Sequence, residues 1–175
     1  MRRAGAATLV HTKGGAAALI EYGTCGPWGH VAVADGKGNF IEAWPGGVRR
    51  VPESRHDGKL TADVDVGLSD AQRAAAVAWL EQQLDVPYNW AAIAVFALKT
   101  LRADVWLGPL YRRFATWAQN RKQTICSELW VNMLDAVGFA TSTLWGDDRS
   151  SEISPNAQGL AAATHALYYR PEGTP

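Results

Sequence analysis

Cys126 and His30 are the residues of this chain best suited to covalent chemistry. Cys126 sits in Thr124-Ile125-Cys126-Ser127-Glu128-Leu129-Trp130, where a polar loop gives way to an amphipathic helix. A cysteine attacks as the thiolate, and the partial positive charge at a helix N-terminus favours that form. With Thr124 as N-cap, Cys126 falls in the first helical turn, where free backbone N–H groups can also form an oxyanion hole. His30 closes the turn Gly26-Pro27-Trp28-Gly29 and opens the strand-like run Val31-Ala32-Val33-Ala34. A strand histidine beside the small residues Gly29 and Ala32 can present its ring to a cleft. Together the two are the parts that a cysteine hydrolase needs. His165, downstream of Cys126, is the rival base. His11 and His56 are weaker candidates, and the charged context Arg55-His56-Asp57 predicts a solvated His56.

A histidine base needs a polar group to orient it and stabilise its cation. Glu42 meets that need through hairpin parity. Val31–Ala34 and Phe40–Trp44 flank the turn signal Asp35-Gly36-Lys37-Gly38-Asn39, which suits a loop with an odd number of residues. If Ala34 faces Gly38, His30 faces Glu42. If Ala34 faces Phe40, Glu42 faces Ala32 and still shares the His30 side of the sheet.

The elements that must carry these residues are readable in outline. Short strands are expected at Thr8–His11, at the two arms of the hairpin, at Val48–Val51 and at Ala62–Val66. Gly14–Tyr22 is ambiguous between helix and strand. Ser69-Asp70-Ala71-Gln72 is a capping box, and the helix after it sets Val77, Leu80 and Leu84 on one face until Pro87 stops it. Further helices are expected at Asn89–Leu101, Pro109–Ala118 and from Cys126. The last of these buries Leu129, Trp130, Met133, Leu134 and Val137 and ends at Gly138. Ser154-Pro155 starts a short helix, and His165–Tyr169 reads as a closing strand.

The 175 residues suffice for one domain with a real core, and the apolar share of 47% excludes a disordered chain. Net charge is zero, which argues against a dedicated nucleic-acid binder. From Lys99 to Lys122, however, Lys99, Arg102, Arg112, Arg113, Arg121 and Lys122 face Asp104 alone, a local net of +5. That segment also carries Trp106, Tyr111 and Trp117, and reads as an amphipathic insert with a solvated basic face. Its charge hints at an anionic substrate or surface. Two cysteines make neither a disulfide framework nor, without CxxC or HxxxH spacing, a metal pair. Cys25 reads as a structural thiol. No export signal or membrane span is recognisable, so the expectation is a soluble protein, cytoplasmic or virion-associated, with no cofactor.

Trp28-Gly29-His30-Val31-Ala32-Val33, followed by Phe40-Ile41-Glu42-Ala43 and Gly47-Val48-Arg49, resembles the first half of the circularly permuted NlpC/P60 papain-like hydrolases of the YiiX/YaeF-like group. Pro87-Tyr88-Asn89-Trp90 is similar to that family's Tyr-containing motif between the halves. Ile125-Cys126-Ser127-Glu128-Leu129 resembles its nucleophile motif, and Ser154-Pro155 its Ser/Thr-Pro near the C-terminus. The match runs over roughly residues 28 to 160 in the family's order. The Cys25-Gly26-Pro27-Trp28-Gly29 segment departs from the Ser- or Tyr-rich stretch usual before the His.

The resemblance implies an α+β, permuted papain-like fold over residues 1–175, an antiparallel sheet or small barrel packed on a helical part. It implies Cys126 as nucleophile, His30 as base and Glu42 as the third polar residue. Tyr88, Trp28 and Ser127, each inside one of these motifs, are taken as substrate-binding residues. The expected activity is that of an amidase or peptidase, acting on a peptide or a peptidoglycan-derived substrate. A lipid acyl hydrolase or acyltransferase, and a non-catalytic module of a phage particle or envelope assembly, are the alternatives.

Overall fold

The computed structural model of the protein describes residues 1–12, 21, 26–119, 122–145 and 155–158. Cys25, Ser154, His165, the expected strand 165–169 and all of the 14–22 segment except Glu21 lie outside them. The architecture is α+β, with a five-stranded antiparallel sheet and several helices. The strands are β1 (Ala7–Val10), β2 (His30–Ala34), β3 (Asn39–Trp44), β4 (Gly47–Pro52) and β5 (Thr61–Val64). Their order in the sheet is β4-β3-β2-β1-β5. The N-terminal strand thus lies inside the sheet, and its four residues are all buried.

The β2–β3 hairpin takes the second of the two expected registers. Ala34 pairs with Phe40 and Val33 with Ile41. Asp35 organises the turn by accepting from the backbone N–H of Lys37 (2.7 Å) and Asn39 (3.0 Å). Continued along the strands, this register places Glu42 across from Ala32, on the His30 side. A two-residue turn, Pro45-Gly46, then returns the chain into β4 and sets Glu42 opposite Arg49.

Alternation along the strands divides the apolar residues between two clusters. Val31, Val33, Ile41 and Ala43 join Leu9 in the main core. Ala32, Ala34, Phe40 and Val51 form a second, smaller one. The main core is completed by helices α1 (Asp70–Gln82) and α5 (Cys126–Ala136), through Ala76, Leu80, Leu129, Trp130, Met133 and Leu134. Val137 is packed against this core but is only partly buried. Trp130 is fully buried, and its indole N–H donates to the Gly5 carbonyl (3.2 Å). The capping box opens α1 as expected: Ser69 Oγ accepts from the Gln72 N–H (3.3 Å) and Gln72 Oε1 accepts from the Ser69 N–H (3.1 Å). This helix ends at Gln82, earlier than Pro87 would require, because Asp85 adopts a left-handed backbone with φ 66°.

Three shorter helices follow: α2 (Trp90–Thr100), α3 (Ala103–Leu107) and α4 (Pro109–Gln119). The α3 turn interrupts what the sequence reads as a connection. After α5, Gly138 takes φ 69° and stops the helix, and α6 (Ser142–Trp145) closes the segment. No helix among the described residues is long and apolar enough to cross a membrane.

Gly47 is the tightest point of the β3–β4 hairpin. Its φ is +117°, and a Cβ there would stand 3.0 Å from the Val86 carbonyl oxygen. That carbonyl accepts from the Val48 N–H (2.9 Å) and ties the hairpin to the chain after α1. Gly38, with φ +88° and nothing within 4 Å, is strained by substitution without being crowded. Gly47→Ala is therefore expected to destabilise by about 2–3 kcal/mol and Gly38→Ala by about 1 kcal/mol, measured by urea denaturation. Equal losses would show that crowding against Val86 is unimportant.

Candidate active site

Glu42 is wholly buried, at 0% exposure, and both its oxygens are occupied. Oε2 accepts from His30 Nε2 (2.8 Å) and His56 Nε2 (2.9 Å). Oε1 accepts from Arg49 Nε (3.1 Å) and Nη2 (2.8 Å), and Arg55 Nε lies 3.6 Å away. Burial alone would raise its pKa. The hydrogen bonds from His30 and His56, the His30 charge and the Arg49 bond outweigh it and hold the carboxyl well below the usual range. Glu42 is therefore a carboxylate at any physiological pH.

His30 heads β2, where its ring reaches both Glu42 and the first turn of α5. Burial pushes its pKa down, but hydrogen bonds with Cys126 and with Glu42, and the charges of both, raise it from 6.5 to about 9. Nε2 is committed to Glu42, which leaves Nδ1 as the nitrogen for an interaction with Cys126. Trp44 meets the His30 ring edge-on at 5.3 Å between centroids, and the guanidinium of Arg49 lies 4.8 Å over the Trp44 ring. The imidazole is thus held on one edge by a carboxylate and on one side by an indole.

His56 is not solvated. It is 4% exposed, because the 3-10 turn Glu53–His56 after β4 carries the ring back to Glu42. Lys59 Nζ lies 3.1 Å from His56 Nδ1. An ammonium can only donate, so Nδ1 must accept and the ring proton sits on Nε2, where it is donated to Glu42. The charged neighbours that suggest a surface loop are the ones that fix this ring.

Cys126 is the first residue of α5, and Ile125, not Thr124, is its N-cap. Glu128 supplies the missing cap, its Oε2 accepting from the Ile125 N–H (3.0 Å). Thr124 is instead clamped in a parallel bridge with Tyr88: its N–H donates to the Pro87 carbonyl (3.2 Å) and its carbonyl accepts from Asn89 (3.0 Å). This clamp brings Tyr88 beside the helix start. Burial, then the charges of Cys126 and Glu128, raise the Tyr88 pKa far above its ordinary value, so the phenol keeps its proton. Trp28 is partly buried against the main core, with its N–H and carbonyl both bonded to the Asn156 side chain (2.9 and 3.0 Å). Ser127 is buried, and its carbonyl accepts from Gln158 (2.8 Å).

His30, Glu42 and His56 also bring three metal-ligand-type atoms within 4.8 Å of one another. The surroundings oppose a cation there. Arg49 and Arg55 already neutralise the carboxylate, and Lys59 presents an ammonium to His56 Nδ1, where a metal-bound imidazole needs an acceptor. The geometry suits proton handling better than metal coordination.

The structure thus brings Cys126, His30, Glu42 and Tyr88 together, with Trp28 and Ser127 in adjoining segments. Arg49 and Trp44 are members to which the sequence gives no role, and His56 is one that it ranks as a weaker, solvated candidate. No protein-family model matches this chain, and no curated protein does.

Two pH effects follow, with opposite physical origins. His30 binds its proton more tightly folded than unfolded, so its contribution to stability is fully present below about pH 6.5 and is lost as pH rises through about 9. Glu42→Gln removes the charge that holds this proton, and the His30 resonance in an NMR titration is expected to move to a lower pKa. An unmoved His30 would mean that Glu42 does not govern it. Glu128 has a pKa raised to about 7 by burial, opposed by the Ile125 N–H. Its favourable contribution is present below about pH 4.5 and lost as pH rises through about 7. Glu128→Gln keeps an acceptor for Ile125 and removes the buried charge. It is expected to raise the melting temperature relative to the parent at pH 8 and to have little effect at pH 5. A loss at both pH values would show that the carboxylate itself is needed.

Proposed function

We propose that this chain is a thiol hydrolase of the circularly permuted papain-like type, acting on amide bonds, with Cys126 as nucleophile, His30 as general base and acid, and Glu42 as the residue that orients His30. The observation that carries the reading is one buried imidazole, bonded through Nε2 to a buried carboxylate and near enough to a cysteine at a helix start for the sulfur to raise its pKa. The strand bearing His30 precedes the helix bearing Cys126 in the chain, as a permuted arrangement requires.

The reaction follows from that geometry. A protonated His30 stabilises a thiolate at Cys126. The sulfur attacks the substrate carbonyl carbon and the carbonyl oxygen takes the negative charge. The backbone N–H of Cys126, at the open end of α5, is the donor suited to receive that charge. His30 then gives its proton to the departing amine, and the acyl group remains as a thioester on Cys126. Neutral His30 takes a proton from water, the hydroxyl adds to the thioester carbonyl, and the sulfur leaves as the thiolate, which releases the acid and restores the thiolate–imidazolium pair. Tyr88, protonated and beside Cys126, is suited to a hydrogen bond with the acyl part of the substrate.

A binding module that keeps this fold without turnover is the competing reading, and the 3% exposure of Cys126 favours it. Thiol reactivity separates the two. In a Cys25→Ser background, Cys126 is expected to react with iodoacetamide at neutral pH at least about tenfold faster than in the urea-unfolded chain. His30→Ala is expected to abolish that excess, and His165→Ala to leave it intact. A folded-state rate no greater than the unfolded one would overturn the enzyme reading. Dependence on His165 instead of His30 would overturn the permuted arrangement.

A further inference from the structure

We propose that α2, α3 and α4 form an interfacial unit that seats the protein on a bilayer containing anionic lipid. This surface does not depend on any activity at Cys126.

The apolar side chains that a folded chain normally hides are concentrated here on the outside. Trp106 is 87% exposed, Leu101 75% and Val105 74%, and Trp90, Leu110 and Trp117 are each more than half exposed. Scattered exposed apolar residues need no explanation, but a run of large ones around a single helical turn does. The helix α2 carries no charged residue from Trp90 to Leu98, and a helix apolar on all sides belongs in a core or at a membrane. None of these helices is long enough to span, so the contact is at the interface and not across it.

Charge decides what covers this surface. Arg102, Arg112, Arg113 and Lys122 are all exposed in the same segment, whose net charge is +5 in a chain of zero net charge. Trp and Arg side chains flanking an apolar tip match the boundary between headgroups and acyl chains. A second copy of the chain is a poor occupant, because a symmetric contact would oppose one cationic rim to another. The unit is attached to the rest of the fold through the Asn89 side chain, which donates to the Ala118 carbonyl (3.0 Å), and through the Tyr88–Thr124 bridge beside Cys126. Docking the tip therefore sets the α5 N-terminus at a fixed relation to the lipid surface.

The test is co-sedimentation of the full chain with vesicles of equimolar phosphatidylcholine and phosphatidylglycerol, against vesicles of phosphatidylcholine alone. Binding is expected to the first, with a partition coefficient at least about tenfold above the second and falling as salt is raised. Trp106→Asp and, separately, Arg112→Glu with Arg113→Glu are each expected to reduce it by about tenfold or more. Both variants alter exposed positions, and circular dichroism checks that they fold. Cys126→Ala is expected to bind like the parent. Equal binding to both vesicle types would overturn the anionic preference. Unchanged binding in both surface variants would overturn the assignment of the surface. Vesicle binding that is absent, with light scattering showing a dimer that Trp106→Asp dissociates, would assign the patch to self-association instead.

Discussion

The structure around the candidate site depends on one buried charge. Glu42 has no exposed surface, yet it remains ionised because hydrogen-bond donors surround it: His30 and His56 on one oxygen, Arg49 on the other, with Arg55 close by. A lone carboxylate in this position would neutralise itself by taking up a proton. Three separate pieces of chain must converge to prevent that: the start of β2, the β3–β4 hairpin and the 3-10 turn after it. Breaking a buried pair by removing one partner costs about 3–5 kcal/mol. The network is therefore a constraint on folding as much as a device for holding a histidine. Cys126, and after it the same Glu42 charge that fixes these three segments, raise the pKa of His30.

Much of this was legible, and what was missed has a common physical cause. The β2–β3 parity put Glu42 on the His30 side under either odd register, and the structure adopts one of them. The capping box at Ser69 and the buried face of α5 followed from local pattern alone. Arg49 was within reach of the same logic. Pro45-Gly46 makes a two-residue turn, and counting outward from it pairs Glu42 with Arg49. His56 was not within reach, because its neighbours Arg55, Asp57 and Lys59 are those of a surface loop. Only the fold shows that Arg55 and Lys59 turn toward the same buried carboxylate and its histidine. Thr124 was misplaced for a related reason: its side chain suits an N-cap, but its backbone is taken by the bridge to Tyr88.

The buried carboxyls Glu42 and Glu128 show how environment assigns different roles to one functional group. Glu42 receives side-chain donors and cations and stays charged. Glu128 receives one backbone N–H, from Ile125, and burial raises its pKa to about 7. Cys126 sits between these regimes, with a cationic imidazole on one side and, in its own helical turn, a carboxyl that is half neutral near physiological pH. An ionised Glu128 would add negative charge to the first turn of α5, and its protonated form does not. The two carboxyls thus differ in charge near neutral pH, and Ile125, whose N–H anchors Glu128, is also the residue whose carbonyl accepts the first helical bond, from the Leu129 N–H (3.0 Å). Capping α5 with Glu128, in place of the threonine that sequence pattern expects, couples the electrostatics at Cys126 to the formation of the helix that presents it.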